Sequence, residues 1–130
     1  LFTEAILAGR AIKVFNHGRM KRDFTYIDDI VAGVIAALDT PPADTGAAAP
    51  ARLYNIGNHK AEDLMRFIAV LEDAIGAKAR MDMLPMQPGD VAETYADITD
   101  IQRDLGFAPT TGIDEGLPRF VDWYRGYHRL

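Results

Sequence analysis

Residues 22–38 read RDFTYIDDIVAGVIAAL, and the periodicity of this stretch changes partway along it. Residues 22–27 are rich in aromatic and β-branched side chains, which favours an extended strand. Asp28 is a suitable helix N-cap, and the apolar residues after it recur every three or four positions, which predicts a helix through Leu38. We expect the apolar stripe of that helix to lie in the core; it comprises Ile30, Val31, Val34, Ile35 and Leu38.

Extended and helical patterns also alternate on both sides of this stretch, which predicts a mixed α/β fold. Further strands are predicted at residues 11–15, 52–56 and 79–84, with a turn at Asn16-His17-Gly18 and a loop over residues 39–51. Further helices are predicted from residue 1 to Gly9, over residues 61–75 up to Gly76, and in a short segment closed by Gly106. The last helix has Thr111 and Asp114 as candidate caps, Pro118 as a kink or delayed start, and Leu117, Phe120, Val121, Tyr124 and Tyr127 facing inward.

The composition limits the classes of protein that the chain can represent. Its 130 residues are 48% hydrophobic and 25% charged, as is typical of one globular domain. The net charge of -5 argues against nucleic acid and against an anionic membrane surface as partners. No stretch approaches the roughly 18 apolar residues of a membrane span, and we expect a cytoplasmic protein. Because cysteine and serine are both absent, disulfides, thiolate metal sites and cysteine or serine nucleophiles are excluded within these residues.

The first residues carry a helix stop signal without a start signal. Leu1, Phe2, Ala5 and Ile6 share one helical face and Gly9 follows them, but no capping residue precedes them. We therefore expect residue 1 to lie inside, or just after the start of, a helix of a longer protein. This helix and the strands flanking it are then expected to expose apolar surface that the rest of that protein would cover.

Residues 10–22 contain five basic residues and no acidic one: Arg10, Lys13, Arg19, Lys21 and Arg22. Such a cluster at a strand and a turn suits a phosphate or diphosphate, because a guanidinium presents paired donors that match two phosphate oxygens. Arg22 is the best candidate because it begins the extended run. The alternative is a solvated hairpin whose charges only face water.

The segment Gln87-Pro88-Gly89-Asp90 predicts a tight turn with a polar side chain at each end. The amide of Gln87 could donate to a polar ligand, and the carboxylate of Asp90 could accept two hydroxyl protons of a sugar or ribose. The alternative is that Asp90 only caps its own turn. The three histidines are too far apart in the sequence to indicate a metal site.

Two motifs of nicotinamide-dependent enzymes are absent from these residues. No Gly-x-Gly-x-x-Gly or Gly-x-x-Gly-x-x-Gly turn links a strand to a helix, and no tyrosine has a lysine four positions after it. We therefore expect the 130 residues alone to bind no NAD and to catalyse no redox chemistry.

Seven motifs occur together in this chain: IKVFNHG (12–18), RDFTYIDD (22–29), YNIG (54–57), QPGDV (87–91), YAD (95–97), LG (105–106) and GLPRFVDWYR (116–125). Together they resemble the C-terminal part of an extended short-chain dehydrogenase/reductase acting on a nucleotide sugar, and in particular the bacterial UDP-glucuronate 4-epimerase group. The resemblance implies that residues 1–130 are the small C-terminal substrate-binding domain of an NAD-dependent epimerase. It also implies that the Rossmann domain is mostly absent, that the chain is truncated at its N-terminus, and that the full-length enzyme is a homodimer.

The same resemblance implies roles for five residues. Lys13 and Phe15 would contact the uracil, Arg22 the diphosphate and Asp90 the ribose hydroxyls, while Gln87 stands where many relatives place a second phosphate-binding arginine. The family's catalytic tyrosine and lysine and its NAD glycines have no counterpart here, so no catalytic residue is assigned. A nucleotide-sugar dehydratase, a UDP-glucuronate decarboxylase and a separate α/β interaction domain remain open alternatives.

Overall fold

The computed structural model describes residues 1–44, 46 and 49–130, and these form a mixed α/β fold, which confirms the predicted class. The helices are α1 (Phe2–Leu7), α2 (Ile27–Asp39), α3 (Leu64–Ile75), α4 (Thr99–Leu105) and α5 (Ile113–His128), and a 3-10 helix spans Phe15–Gly18. The strands are β1 (Ile12–Val14), β2 (Lys21–Asp23), β3 (Ala61–Asp63) and β4 (Met81–Met83). Within the described residues, no helix has the length and apolarity needed to cross a membrane.

The strands form two small sheets that bring distant parts of the chain together. Strand β1 pairs with β4 in parallel, with Lys13 opposite Asp82. Strand β2 pairs with β3 in the antiparallel sense, with Arg22 opposite Glu62. On its other edge, Lys21 of β2 exchanges backbone hydrogen bonds with residues 92 and 94. The segment that follows the 87–90 turn therefore lies directly beside β2.

The main core lies where α3 packs against α5 and α1. Its fully buried side chains include Val14 of β1, Ile68 and Leu71 of α3, and Val121 of α5. A smaller cluster is formed by Ile98, Ile101 and Phe107 around α4. Helix α3 is well delimited, because the Asp63 carboxylate accepts from two backbone N–H groups at its start and Gly76 ends it in the left-handed conformation.

Helix α2 forms as predicted, but two expectations about it are wrong. Asp28 lies in the first turn rather than at the N-cap, which is Tyr26. The apolar stripe is not core, since Val34, Ile35 and Leu38 are 54%, 50% and 76% exposed. Instead, α2 packs through Gly33, where an added Cβ would lie 3.1 Å from the Ile56 side chain. The stripe is therefore an exposed apolar face.

The expectation that α1 and its flanking strands expose an apolar surface is also wrong, except at Leu1. Ile6 of α1 and both Ile12 and Val14 of β1 are buried in the main core. Leu1 alone of the predicted apolar face is fully exposed. The apolar surface exposed at α1 is therefore smaller than expected, whereas α2 carries a row of exposed apolar side chains.

Residues 52–56 are not a strand in this structure, because no strand of the described part of the chain pairs with them. The helix predicted over residues 61–75 begins at Leu64, and residues 61–63 form β3 instead. These three residues pair with β2, and the Asp63 cap fixes the helix start after them. Pairing with β2 therefore makes residues 61–63 a strand, and the Asp63 cap makes the helix begin at Leu64.

Helix α5 differs from its prediction at its start and in the width of its buried face. It begins after Gly112 without a side-chain cap, and Pro118 lies inside it. Leu117 and Val121 are buried as predicted, whereas Phe120 is 37% and Tyr127 71% exposed. The inward face is therefore narrower than the aromatic pattern suggested, because α3 covers only part of the helix.

Candidate functional site

One cavity of about 630 Å³ lies between α1, the two small sheets, α3 and α5. Most of its wall is apolar, and the stacked rings of Phe24 and Phe67, 4.1 Å apart between centroids, form part of it. The charged residues that line it are Lys13, Arg22 and Asp90. These three come from β1, β2 and the 87–90 turn, so the fold rather than the local sequence brings them together.

The guanidinium of Arg22 is held in place by three acceptors. Its Nη1 donates to the carbonyl oxygens of Lys21 at 2.7 Å and Ala92 at 3.3 Å, and its Nη2 donates to Asp90 Oδ1 at 2.8 Å. The side chain is 24% exposed. Three of the five N–H groups of the guanidinium are thus engaged, and the remaining two can donate to a ligand in the cavity.

Asp90 ends a tight turn of the predicted kind. Its backbone N–H donates to the carbonyl of Gln87 at 3.2 Å, and Gly89 has a φ of 81°, as the third position of a type II turn requires. Asp90 Oδ1 accepts from Arg22 Nη2 and from the backbone N–H of Val91, both at 2.8 Å. The carboxylate therefore does more than cap its own turn, because it also pairs with Arg22.

Lys13 and Phe15 line the same cavity from the end of β1. Lys13 is exposed, and Phe15 begins the 3-10 helix, in which Asn16 and His17 have positive φ angles of 49° and 50°. This sharp turn after β1, which the sequence predicts, sends the chain back towards β2. Lys13 and Phe15 therefore line the cavity together with Arg22.

The structure does not group the remaining predicted residues with this site. The side chain of Gln87 is exposed and does not line the cavity. Arg10 forms an ion pair with Glu4 at 2.5 Å, and Arg19 and Lys21 are exposed outside the cavity wall. The five basic residues therefore do not form one patch, and Lys13 and Arg22 are the two that line the cavity.

Asp23, which we did not single out from the sequence, anchors the segment that carries Asp90. Its carboxylate accepts backbone N–H groups of Asn58 at 2.8 Å, His59 at 3.1 Å and Ala96 at 2.9 Å. Gly57 permits this close approach, because an added Cβ would lie 2.3 Å from that of Ala96. The position of Asp23 beside Arg22 is the only sequence signal for this role.

Asp29 anchors the other side of the cavity. It is buried, and its carboxylate accepts the backbone N–H groups of Thr110 and Thr111, both at 3.0 Å. Burial raises the pKa of Asp29, but the hydrogen bonds from Thr110 and Thr111 outweigh it and hold that pKa below its usual value. Asp29 therefore fixes the loop that leads into α5, whose first turns line the cavity.

The site combines a mostly apolar wall with two cationic side chains and one carboxylate. This arrangement suits a ligand that has a flat or apolar part, an anionic part and hydroxyl groups. In the described residues no group of three or more histidine or carboxylate side chains could hold a metal ion.

Residues 1–120 match the family model described as GDP-mannose 4,6 dehydratase. Protein CapI of Staphylococcus aureus is 43% identical and UDP-glucuronate 4-epimerase 2 of Arabidopsis thaliana 42% identical, each over 98% of this chain. The chain covers 42% and 32% of the lengths of these relatives, and thus less than half of either.

The fold is similar to the crystal structure of UDP-glucuronic acid 4-epimerase from Bacillus cereus in complex with UDP-glucuronic acid and NAD. The TM-score is 0.83 at 29% identity, and the match covers 97% of this chain and 38% of that one. These similarities confirm the resemblance drawn from the sequence motifs. The 130-residue chain belongs to the GDP-mannose 4,6 dehydratase family.

Proposed function

We propose that this chain is the UDP-sugar-binding part of an NAD-dependent sugar epimerase, a UDP-glucuronate 4-epimerase. The observation that carries the proposal is that Lys13, Phe15, Arg22 and Asp90 line one cavity although they are far apart in the sequence. The similarity to epimerases of this name supports the choice of a UDP-sugar.

In this proposal the residues of the cavity contact different parts of the ligand. The two free N–H groups of Arg22 donate to the diphosphate, since charge-assisted donors in a fixed fork suit phosphate oxygens. Asp90 accepts from the ribose hydroxyls, and Lys13 and Phe15 contact the uracil. Gln87 has the weakest support of the five predicted residues, because its side chain lies outside the cavity wall.

The residues of this chain do not fit an NAD site of their own. After β1 the chain enters a 3-10 helix over Phe15–Gly18, and after β4 it enters an irregular segment. Neither strand leads through a glycine-rich turn into an α-helix N-terminus, which is the arrangement that binds a dinucleotide diphosphate. We therefore assign NAD, and with it the redox step of epimerisation, to residues of the whole enzyme beyond these 130.

The NAD-binding domain of the whole enzyme is the partner that we assign to the exposed face of α2. Four apolar side chains on this helix are each 45% or more exposed: Ile27, Val31, Val34 and Ile35. Contiguous exposed apolar surface of this kind marks an interaction surface. Packing against the apolar surface of a second domain would remove this face from water.

Calorimetric titration of the purified chain tests the proposed function. We expect UDP and UDP-glucuronate to bind, NAD not to bind, and no epimerisation to occur. Arg22→Ala should weaken the binding of both uridine ligands. Binding of NAD, turnover by these 130 residues, or failure of UDP to bind would contradict the proposal.

A dehydratase acting on a GDP-sugar is a second candidate, because the matching family model carries that description. The two candidates differ in the base that the cavity must accept. Tighter binding of GDP than of UDP in the same titration would favour the dehydratase.

A further inference from the structure

The C-terminal half of α5 exposes a row of aromatic side chains. Phe120, Trp123 and Tyr127 follow one another at intervals of three and four residues, which places them along one side of the helix. Their exposed fractions are 37%, 57% and 71%, and Leu130, just after the helix, is also 71% exposed. This row, which we call the α5 stripe, lies on a different helix from the face assigned to the NAD-binding domain.

The side chains of the α5 stripe are already packed against each other. The rings of Trp123 and Tyr127 stack with their centroids 5.3 Å apart, and the Phe120 ring lies 5.8 Å from that of Trp123. Rings held in this way lose little conformational freedom when a partner covers them. Beside the stripe, an added Cβ at Gly126 would meet nothing within 4 Å. Because the distance between packed helices depends on the side chains at the contact, Gly126 lets a second helix approach closely.

Two exposed charges of opposite sign border the α5 stripe on its Gly126 side. Asp122 and Arg129 are seven residues apart, so they lie about 10 Å from each other along one edge of the helix. Among the described residues, neither of them has an ion-pair partner. Arg125 is engaged, by contrast, because its Nη2 donates to the carbonyl oxygen of Ile75 at 2.8 Å.

A second copy of α5 in the antiparallel orientation matches both features. The two-fold axis then passes midway between Asp122 and Arg129, close to Gly126, and brings the carboxylate of each copy beside the guanidinium of the other. A parallel orientation would instead bring like charges together, which is unfavourable. The two α5 stripes meet in the same antiparallel arrangement, so this face is complementary to itself.

The size of the face predicts a weak dimer. An aromatic side chain buries about 150–250 Å² when it is fully covered. At the exposed fractions given above, the α5 stripe and Leu130 offer about 400–500 Å² in each copy, and thus about 800–1,000 Å² in total. Stable complexes bury about 1,200–2,000 Å², so we expect a reversible dimer with a dissociation constant of about 10–100 µM.

We propose that the α5 stripe is the interface of a weak antiparallel dimer of this chain. Trp123 and Tyr127 form the apolar centre of this interface, and Asp122 and Arg129 form two reciprocal ion pairs at its edge. The proposal goes beyond the proposed function, because it involves no nucleotide and no residue that lines the nucleotide cavity, apart from Phe120 at the end of the stripe.

Sedimentation equilibrium of the chain, over concentrations that span the expected dissociation constant, tests the proposal. Every protein compared carries Val34→Asp, so that the exposed face of α2 contributes little to association, and circular dichroism checks that each is folded. Trp123→Ala should raise the dissociation constant at least about tenfold, as for a central aromatic residue of an interface. Asp122→Arg should raise it about tenfold, because two attractions become two repulsions. Adding Arg129→Asp to Asp122→Arg should bring it back to within about threefold of the parent, because the two charges are then exchanged.

The control variant is Asp73→Arg, which makes the same change of charge at a side chain of α3 that is 81% exposed. It should change the dissociation constant by less than about twofold, because distant exposed charges are screened. Equal losses in Asp122→Arg and Asp73→Arg, or no rescue by Arg129→Asp, would overturn the proposal. A parent protein that stays monomeric would also overturn it and would leave the rest of the whole enzyme as the partner that covers the stripe. Titration of Asp122→Arg with UDP tests the proposed function separately, since Asp122 does not line the nucleotide cavity.

Discussion

Replacing Arg22 by alanine should weaken UDP binding by about ten- to a hundredfold. The structure leaves two guanidinium N–H groups for the ligand, after the contacts to Lys21, Ala92 and Asp90 are counted. A hydrogen bond to a charged group contributes about 1.5–3 kcal/mol, which corresponds to this loss in affinity. Little of it should be lost to solvent screening, because the Arg22 side chain is only 24% exposed.

Three further variants separate geometry from charge. Arg22→Lys should bind UDP almost as weakly as Arg22→Ala, because a point charge does not restore the fork of paired donors. Arg19→Ala and Lys21→Ala should have several-fold smaller effects that fade as salt rises, since both residues are exposed. Calorimetric titration with UDP, after circular dichroism has shown that each variant is folded, measures these differences. Equal losses at the three positions would indicate a diffuse basic field and refute the assignment of the diphosphate to Arg22.

Three other predictions concern the framework around the cavity. Asp29→Asn should lower the free energy of unfolding by about 1–3 kcal/mol in urea titrations, because the amide offers one acceptor oxygen instead of two. Because the folded-state pKa of Asp29 is lowered, the ionised carboxylate stabilises the folded protein above about pH 4, and this stabilisation is lost as the pH falls through that lowered value. An Asn variant that is as acid-sensitive as the wild type would contradict this prediction. Gly57→Ala should lower the free energy of unfolding by about 1–3 kcal/mol, because the added methyl group clashes with Ala96. Gly126 of α5 has open space around it, so Gly126→Ala should raise the free energy of unfolding by up to about 1 kcal/mol. Equal effects of the two variants in thermal unfolding would refute the clash at Gly57. Val34→Asp on the exposed face of α2 should reduce self-association and the fluorescence of a bound hydrophobic dye while leaving stability nearly unchanged, and marked destabilisation would mean that this face is buried.

The sequence predicts the fold well where a local signal decides the backbone. Gly76 and Gly106 end α3 and α4 in the left-handed conformation, and the turn at residues 16–18 has positive φ angles throughout. Pro88 and Gly89 likewise specify their turn. At such positions the conformational limits of one or two residues are sufficient to predict the backbone.

Predictions failed where a distant part of the chain decides the outcome. The stripe of α2 shows that the helix has an apolar face, but periodicity alone does not show what covers it. Residues 52–56 alternate as a strand does, yet a strand also needs a neighbour to complete its hydrogen bonds. Asp28 is a suitable cap by composition, but the N-cap is Tyr26, two residues earlier, and α2 begins at Ile27.

Local pattern indicated Arg22 and Asp90 as separate candidates, whereas only the family resemblance implied a single site that also includes Lys13 and Phe15. Lys13, Arg22 and Asp90 become neighbours through the β1–β4 pairing and through the hydrogen bonds of Lys21 to residues 92 and 94. Local sequence does not encode these contacts. The anchoring role of Asp23 was missed for the same reason, because its three partners lie 35 to 73 positions away.

A ¹H–¹⁵N NMR titration of the chain with UDP tests most directly whether the cavity binds the nucleotide. Saturable shifts should concentrate on the Arg22 side chain and on the backbone amides of Lys13, Phe15, Arg22 and Asp90. These shifts should persist as salt rises, because the contacts lie in a partly enclosed cavity. Shifts that spread over Arg19 and Lys21 and vanish with salt, or no shifts at the cavity at saturating UDP, would contradict the claim that this cavity binds the nucleotide.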